Sequence, residues 1–172
     1  GQTNFGAWRW KSLYENKDLL IQYFEKHNNK IDLGGGLAPV GFDCEIIDKI
    51  HHDIHGKKVN YPDVNYYKKR IGLCFSSHYL EHKKFFDLEL FAIYKQMDEG
   101  SNLILNLPDI RGWQYWNPSV KKEHYRIFAI HGQDIPDFHG VVLIDKVLKS
   151  MNFKLDFCKP CGDNSLLIIA SK

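Results

Sequence analysis

Apolar and polar residues repeat along this chain with two different periods, and the switches between them mark out helices and strands. Leu13, Leu20, Phe24 and His27 recur at helical spacing among Lys and Glu, which predicts a helix over residues 11–27, ended by Asn28 and Asn29. Phe86, Leu90, Ile93 and Met97 share one face of a second predicted helix, residues 83–97, with Gly100 as its stop. Val142, Ile144, Val147 and Leu148 predict a third over residues 141–151. Short apolar runs bounded by turn residues predict strands at 30–33, 44–47, 71–75, 102–107, 153–157 and 165–170. Residues 59–61 are a further short candidate inside the polar stretch 51–70.

Strands that alternate with helices imply a mostly parallel sheet wrapped by helices, an α/β fold. The last two predicted strands are joined by "CKPCGDN", too short for a parallel crossover, so the last strand is expected antiparallel, at or near one edge. No repeat, low-complexity tract or linker divides the chain. It reads as one domain, with residues 1–29 as an N-terminal helical extension and residues 110–139 as an aromatic-rich insertion. A loop as long as that insertion is usually functional or disordered, and its aromatic content argues against disorder.

Composition narrows the picture modestly. With 172 residues, 44% hydrophobic and 26% charged, the chain can bury a core of its own. A formal charge of +2 is too mild to point to a nucleic-acid or membrane surface. No apolar run is long enough to span a bilayer, and no signal-peptide pattern opens the chain. The scattered cysteines Cys44, Cys74, Cys158 and Cys161 fit a reducing, cytoplasmic setting. Aromatic residues concentrate near Trp8 and Trp10 and between Trp113 and Tyr125, which fits either a binding surface or packing beneath a long loop.

The candidate chemistry begins at "KIDLGGGLAPVGFDCEIID", residues 30–48. A predicted strand runs into Gly34, Gly35 and Gly36, where the backbone can turn tightly and a ligand can approach without meeting a Cβ. Asp48 ends the next strand, and a carboxylate at such a tip can accept two hydrogen bonds from a ribose diol. Asp32 is placed to orient the glycines or to meet a ligand's ammonium group. The run lacks both G-x-G-x-x-G and a Gly-Lys-Ser/Thr ending, which speaks against a nicotinamide-dependent oxidoreductase and against NTP hydrolysis.

"SSHYLEH", residues 76–82, contains H-x-x-E-H, a pattern of zinc peptidases. Such a site needs both histidines on one helix face, whereas this run follows directly on a predicted strand, and its helix starts near residue 83. A third ligand does not stand out, so a zinc hydrolase is the lesser alternative and no metal is expected. "HHDIH" at residues 51–55 reads as an incidental histidine cluster in a solvated loop. Cys158-Lys159-Pro160-Cys161 reads as a plain turn rather than a redox pair, since it does not open a helix. The Lys57-Lys58 and Lys68-Lys69-Arg70 clusters read as a solvated face.

Taken together, Asp32-Leu33-Gly34-Gly35-Gly36 resembles the first motif of the class I S-adenosylmethionine-dependent methyltransferases, and Asp48 matches their ribose-binding acid. Residues 74–109, "CFSSHYLEHKKFFDLELFAIYKQMDEGSNLILNLPD", are similar to that family's fourth and fifth motif region. Residues 151–170 match its last helix and closing strand pair. The resemblance covers about residues 30–172 and implies a Rossmann-like doubly wound, mostly parallel sheet with an antiparallel last strand. Only residues 37–42, with Pro39 among them, separate the glycines from the second strand, so the usual first crossover helix is expected to be very short or missing. That shortened form resembles a branch associated with surface-polysaccharide genes.

The resemblance implies S-adenosylmethionine as cofactor, held by Asp32, Gly34, Gly35, Gly36 and Asp48, with Ser76, Ser77 and His78 lining its methionine end. Asp53, or a residue near Tyr61–Asp63, is the expected adenine contact. It also implies methyl transfer to a small-molecule or sugar-type acceptor recognised by residues 113–128, with His78, His82 and His124 as candidate general bases. The alternative from another class is a non-catalytic, methyltransferase-like binding module.

Overall fold

In a computed structural model, the structure describes residues 6–49, 56, 58–135 and 140–172. The chain opens with a 3₁₀ turn, Gly6–Arg9, followed by two helices, α1 (Lys11–Tyr14) and α2 (Lys17–Lys26). The helix expected over 11–27 is therefore broken. Asn16 turns its side chain back to donate to the Ser12 carbonyl (2.8 Å), and the axis restarts after it.

The strands are β1 (Lys30–Leu33), β2 (Glu45–Ile47), β3 (Ile71–Ser77) and β4 (Met97–Pro108), with α3 (Phe86–Gln96) between the last two. Next come α4 (Trp113–Trp116), β5 (Ile127–Ala129), β6 (Val141–Leu143), α5 (Ile144–Ser150), β7 (Lys154–Cys161) and β8 (Ser165–Ser171). Among the described residues, six strands form one sheet in the order β2-β1-β3-β4-β8-β7. The first four are mutually parallel, and β8 runs antiparallel to both β4 and β7. This is the doubly wound α/β sheet expected from the sequence, with its last strand antiparallel and one position in from the edge.

Period-two burial gives each face of the sheet its own core. Leu73, Phe75, Ile104, Leu167 and Ile169 face the N-terminal elements and pack with Trp8, Leu13, Leu20 and Phe24. Ile31, Leu33, Cys74, Leu103, Leu105, Leu166 and Ile168 face the other way, against Leu90 and Ile93 of α3 and Ile144 and Leu148 of α5. Both faces are covered, which is why these strands read as continuous apolar runs.

Residues 34–44 join β1 to β2 with no helix between them, as the short spacing led us to expect. Four further elements differ from expectation. The candidate strand at 59–61 is reduced to one parallel bridge, Ile47 to Tyr61, with Asp48 N–H donating to the Tyr61 carbonyl (3.0 Å). Val141–Leu143 is a strand, not the start of a helix, because it pairs in parallel with Ile127–Ala129 as a small second sheet. The Cys158–Cys161 stretch is part of β7 rather than a turn, and all four cysteines are free thiols. The helix expected to run through Met97 ends at Gln96, and Met97 opens β4 directly, paired with Ile71.

Candidate functional site

The carboxyl ends of β1, β2 and β3 open on a cleft of about 600 Å³, the place where open α/β sheets bind ligands. Its wall carries Gly34 and Asp48, then Ser77, His78 and Tyr79 from the loop after β3. Trp10 and Arg9 come from the N-terminal turn, and Trp116, Lys121 and His124 from the 113–124 segment.

The glycine loop is held from inside. Gly34 has φ +82°, and a Cβ there would lie 2.2 Å from the Tyr79 ring, so only glycine fits. Gly35 sits against the Asp32 carboxyl, 2.3 Å from where its Cβ would be. Asp32 is buried and accepts the Val40 N–H at 2.8 Å, which ties the crossover loop to β1. Burial pushes its carboxyl up to about 7, against the lowering effect of the Val40 bond and with a further upward push from Asp48. Gly36 donates its N–H to Asp48 Oδ2 at 2.8 Å, so the acid at the tip of β2 also braces the third glycine.

The loop after β3 is a turn, not a helix. His78 has φ +49°, a left-handed conformation uncommon outside glycine, and donates its backbone N–H to Asn106 (2.8 Å). Leu80–His82 is a single 3₁₀ turn. The helix face that an H-x-x-E-H peptidase would need is therefore not formed. Ser76 is fully buried and gives its hydroxyl to the Leu33 carbonyl (2.9 Å), fastening β3 to β1. The Ser77 hydroxyl, held by Asn106 Nδ2 at 3.0 Å, reaches the cleft.

His78 is enclosed by aromatic rings. It stacks on Trp10 with centroids 3.7 Å apart and planes 3° from parallel, meets Trp116 edge-on at 5.3 Å, and its Nε2 pairs with Ser165 Oγ at 2.9 Å. Burial, aided by nearby His124 and His82, drops its pKa to about 3 and keeps the ring neutral. Burial also lowers His82 and His124, whose rings stand nearly perpendicular with centroids 4.6 Å apart. Glu81, between them and β3, is buried, and its carboxyl is pushed up to about 8 for that reason.

The structure thus brings Gly34, Asp48, Ser77, His78, His82 and His124 to one cleft. Asp32, Gly35, Gly36 and Ser76, expected to touch cofactor, support the cleft from behind; Asp32 and Ser76 are buried, with their polar atoms given to backbone. Asp53 and the 51–55 histidine cluster lie outside the described residues. Trp10 was missed as a site residue, since aromatic density near it did not single out a position; Lys121 falls in the 113–128 segment expected to recognise the acceptor, and Tyr79 in the loop after β3 expected to line the methionine end.

No protein-family model matches the sequence, and no curated protein matches it at a significant level. Solved structures do share its architecture. An S-adenosylmethionine-dependent methyltransferase from Clostridium acetobutylicum ATCC 824 is 10% identical, covers 92% of this chain and 91% of its own, and superposes with a TM-score of 0.62. The N-methyltransferase NodS from Bradyrhizobium japonicum WM9, in complex with S-adenosyl-l-homocysteine, is 12% identical over 96% of this chain and 87% of its own, with a TM-score of 0.60. Magnesium protoporphyrin IX methyltransferase from Synechocystis PCC 6803, with bound SAH, is 12% identical over 93% and 83%, with a TM-score of 0.55. The chain has the fold of these S-adenosylmethionine-dependent methyltransferases; identities this low establish the fold alone.

Proposed function

We propose that this protein binds S-adenosylmethionine in the cleft between Gly34 and Asp48 and transfers its methyl group to a small-molecule or sugar-type acceptor. The observation that carries this reading is the Asp48 carboxylate at the tip of β2, bonded to the glycine loop and lining a ligand-sized cleft together with Gly34. Solved structures of the same fold hold S-adenosylmethionine or its demethylated product. In the proposed complex Asp48 takes the ribose hydroxyls, Gly34 gives room for the backbone to approach, and Ser77 to Tyr79 border the methionine end.

The cofactor, when bound, supplies an electrophilic methyl group. The chain's own task is then to hold an acceptor atom in line with it and to exclude water. Trp10 and Trp116 offer flat apolar faces to the acceptor's ring, and Arg9, Lys49, Lys121 and Glu123 offer polar contacts at the rim. His78, His82 and His124 border the same side, and their position there supports a part in orienting the acceptor. Among the described residues no helix is long and apolar enough to cross a membrane, and the free cysteines agree with the cytoplasmic setting that we assign.

Calorimetry with S-adenosylmethionine and with S-adenosylhomocysteine tests the reading. One ligand is expected to bind per chain. Asp48→Asn keeps an acceptor for Gly36 but loses the charge, and should weaken binding by about ten- to hundredfold, the worth of a charged hydrogen bond. Absence of binding to either ligand would overturn the proposal. A second reading, a non-catalytic module of this fold, is favoured by the internal partners that Gly34 and Asp48 already have in Tyr79 and Gly36. Cofactor binding with no methyl release to any sugar-type or small-molecule acceptor would select it.

A further inference from the structure

Glu81 is only 1% exposed, and neither of its carboxylate oxygens has a hydrogen-bond partner. An ionised carboxylate buried in this way costs several kcal/mol unless something positive meets it. Its neighbours are histidines. His82 Nε2 stands 3.5 Å from Glu81 Oε1 and His78 Nδ1 stands 3.8 Å from it. One ligand atom each from Glu81, His82 and His124 all lie within 4.8 Å of one another.

The backbone fixes which ring nitrogen carries hydrogen. His82 Nδ1 lies 3.1 Å from the Glu123 carbonyl and His124 Nδ1 lies 2.9 Å from the Trp116 carbonyl. A carbonyl oxygen can only accept, so both Nδ1 atoms are donors. In the neutral rings each Nε2 is then a bare lone pair. Once Glu81 is ionised, two imidazole lone pairs and a carboxylate converge with no donor among them. A carbonyl behind each ring nitrogen is also the arrangement that orients a histidine for a metal.

Although the sequence led us to expect no metal, we propose that Glu81, His82 and His124 hold a divalent transition-metal ion of the zinc type. Two imidazoles and one carboxylate suit zinc, cobalt or manganese far better than magnesium. Ligand atoms sit about 2 Å from such an ion, so the three close up to about 3.4 Å apart as it binds. Glu81 here is a ligand and His78 is not, which separates this site from the peptidase pattern in the same seven residues. All three ligands border the cleft that contains Gly34 and Asp48, so the ion's open coordination position faces that cleft. An oxygen-bearing acceptor would occupy it, a consequence that rests on the methyl-transfer reading; the ion site itself does not.

The test is metal binding by the full chain without cofactor. After chelator treatment, Co²⁺ and Zn²⁺ are titrated separately, with Mg²⁺ as a control, and visible Co²⁺ absorption and calorimetry are read. One tight equivalent of Co²⁺ or Zn²⁺, weak Mg²⁺ binding and a raised thermal midpoint are expected. Glu81→Gln and His124→Ala should each weaken binding on the order of a hundredfold, whereas His131→Ala, an exposed histidine elsewhere, should not. Circular dichroism confirms that each variant is folded, and a Glu81→Gln variant as stable as the metal-free parent keeps the comparison valid. Substoichiometric binding, or binding that survives both variants and is lost on replacing His51, His52 and His55, would overturn the proposal. Cofactor affinity, measured separately, reports on the methyl-transfer reading, so either idea can fail alone.

Discussion

Asp32 shows how one buried carboxyl ties the sequence motif to pH behaviour. Its pKa is raised to about 7 in the folded protein, chiefly by burial, from an unfolded value of 3.8. Between those values the folded state holds a proton that the unfolded state has lost. Its contribution to stability is therefore full below about pH 4 and is lost as pH rises through about 7. The limiting slope is about 1.4 kcal/mol per pH unit. Urea unfolding from pH 4 to 8 should show wild type losing stability relative to Asp32→Asn as pH rises; a constant difference would contradict the buried, protonated state. Gly34→Ala makes a second residue-scale case, since it places a methyl group where φ is +82° and the Tyr79 ring stands 2.2 Å away. A loss of at least about 1–2 kcal/mol is expected from the backbone term alone. In the Tyr79→Ala background the remaining part should disappear, as a double-mutant cycle in urea would show. Residue roles were the least legible part of the sequence. The motif placed Asp32 and Ser76 among the cofactor residues, yet Asp32 takes its other expected part, bracing the glycine loop with its carboxyl bonded to Val40, and Ser76 gives its hydroxyl to Leu33. A motif records that a residue type is needed, not whether it faces the ligand or the loop behind it.

At the scale of elements, the N-terminal turn does more than extend the fold. Trp8 is buried, donates its indole N–H to the Val40 carbonyl (2.9 Å) and meets Phe24 and Phe42 edge-on. Trp8→Ala should cost about 3–5 kcal/mol, and the damage should spread to cofactor affinity, because the same turn carries Trp10 onto His78. Unchanged affinity in that variant would mean the turn is not part of the working cleft. Elements with a strong period were legible: Phe86, Leu90 and Ile93 marked α3, and the apolar runs marked the sheet strands. Val141–Leu143 was not, because "VVLIDKVL" fits a helix as well as a strand followed by a helix. Only the pairing with Ile127–Ala129 decides, and no local pattern shows a partner that distant. The break at Asn16 is similar: the apolar spacing runs on across it, while one side-chain amide diverts the backbone.

On the scale of the whole molecule, the cleft is assembled from five separate parts of the chain: the N-terminal turn, the glycine loop, the tip of β2, the loop after β3 and the 113–124 segment. A ligand that touches several of them must stabilise the fold by mass action, about 2.7 kcal/mol at a hundred times its dissociation constant. Thermal unfolding with rising S-adenosylhomocysteine should show this increase, and a midpoint indifferent to ligand would argue against binding in the cleft. The architecture itself was legible because element order and strand spacing prescribe it: four parallel strands, then an antiparallel pair. The far side of the sheet was less so: beyond β2, the candidate strand at 59–61 is represented among the described residues by the Ile47–Tyr61 bridge.

The start of the chain is also moored to its far end. Lys11 N–H donates to Asp163 Oδ2 (2.6 Å), and Glu15 Oε1 accepts from Gly162 N–H (2.7 Å), at the tip of the β7–β8 hairpin. During synthesis, then, the segment that roofs the cleft emerges before the hairpin and, although Trp8 can already meet Val40, lacks these two tethers until the hairpin has left the ribosome. Nascent chains stalled before Gly162 should be cut by trypsin after Arg9 and Lys11 far faster than the released protein, and equal rates would refute such a wait.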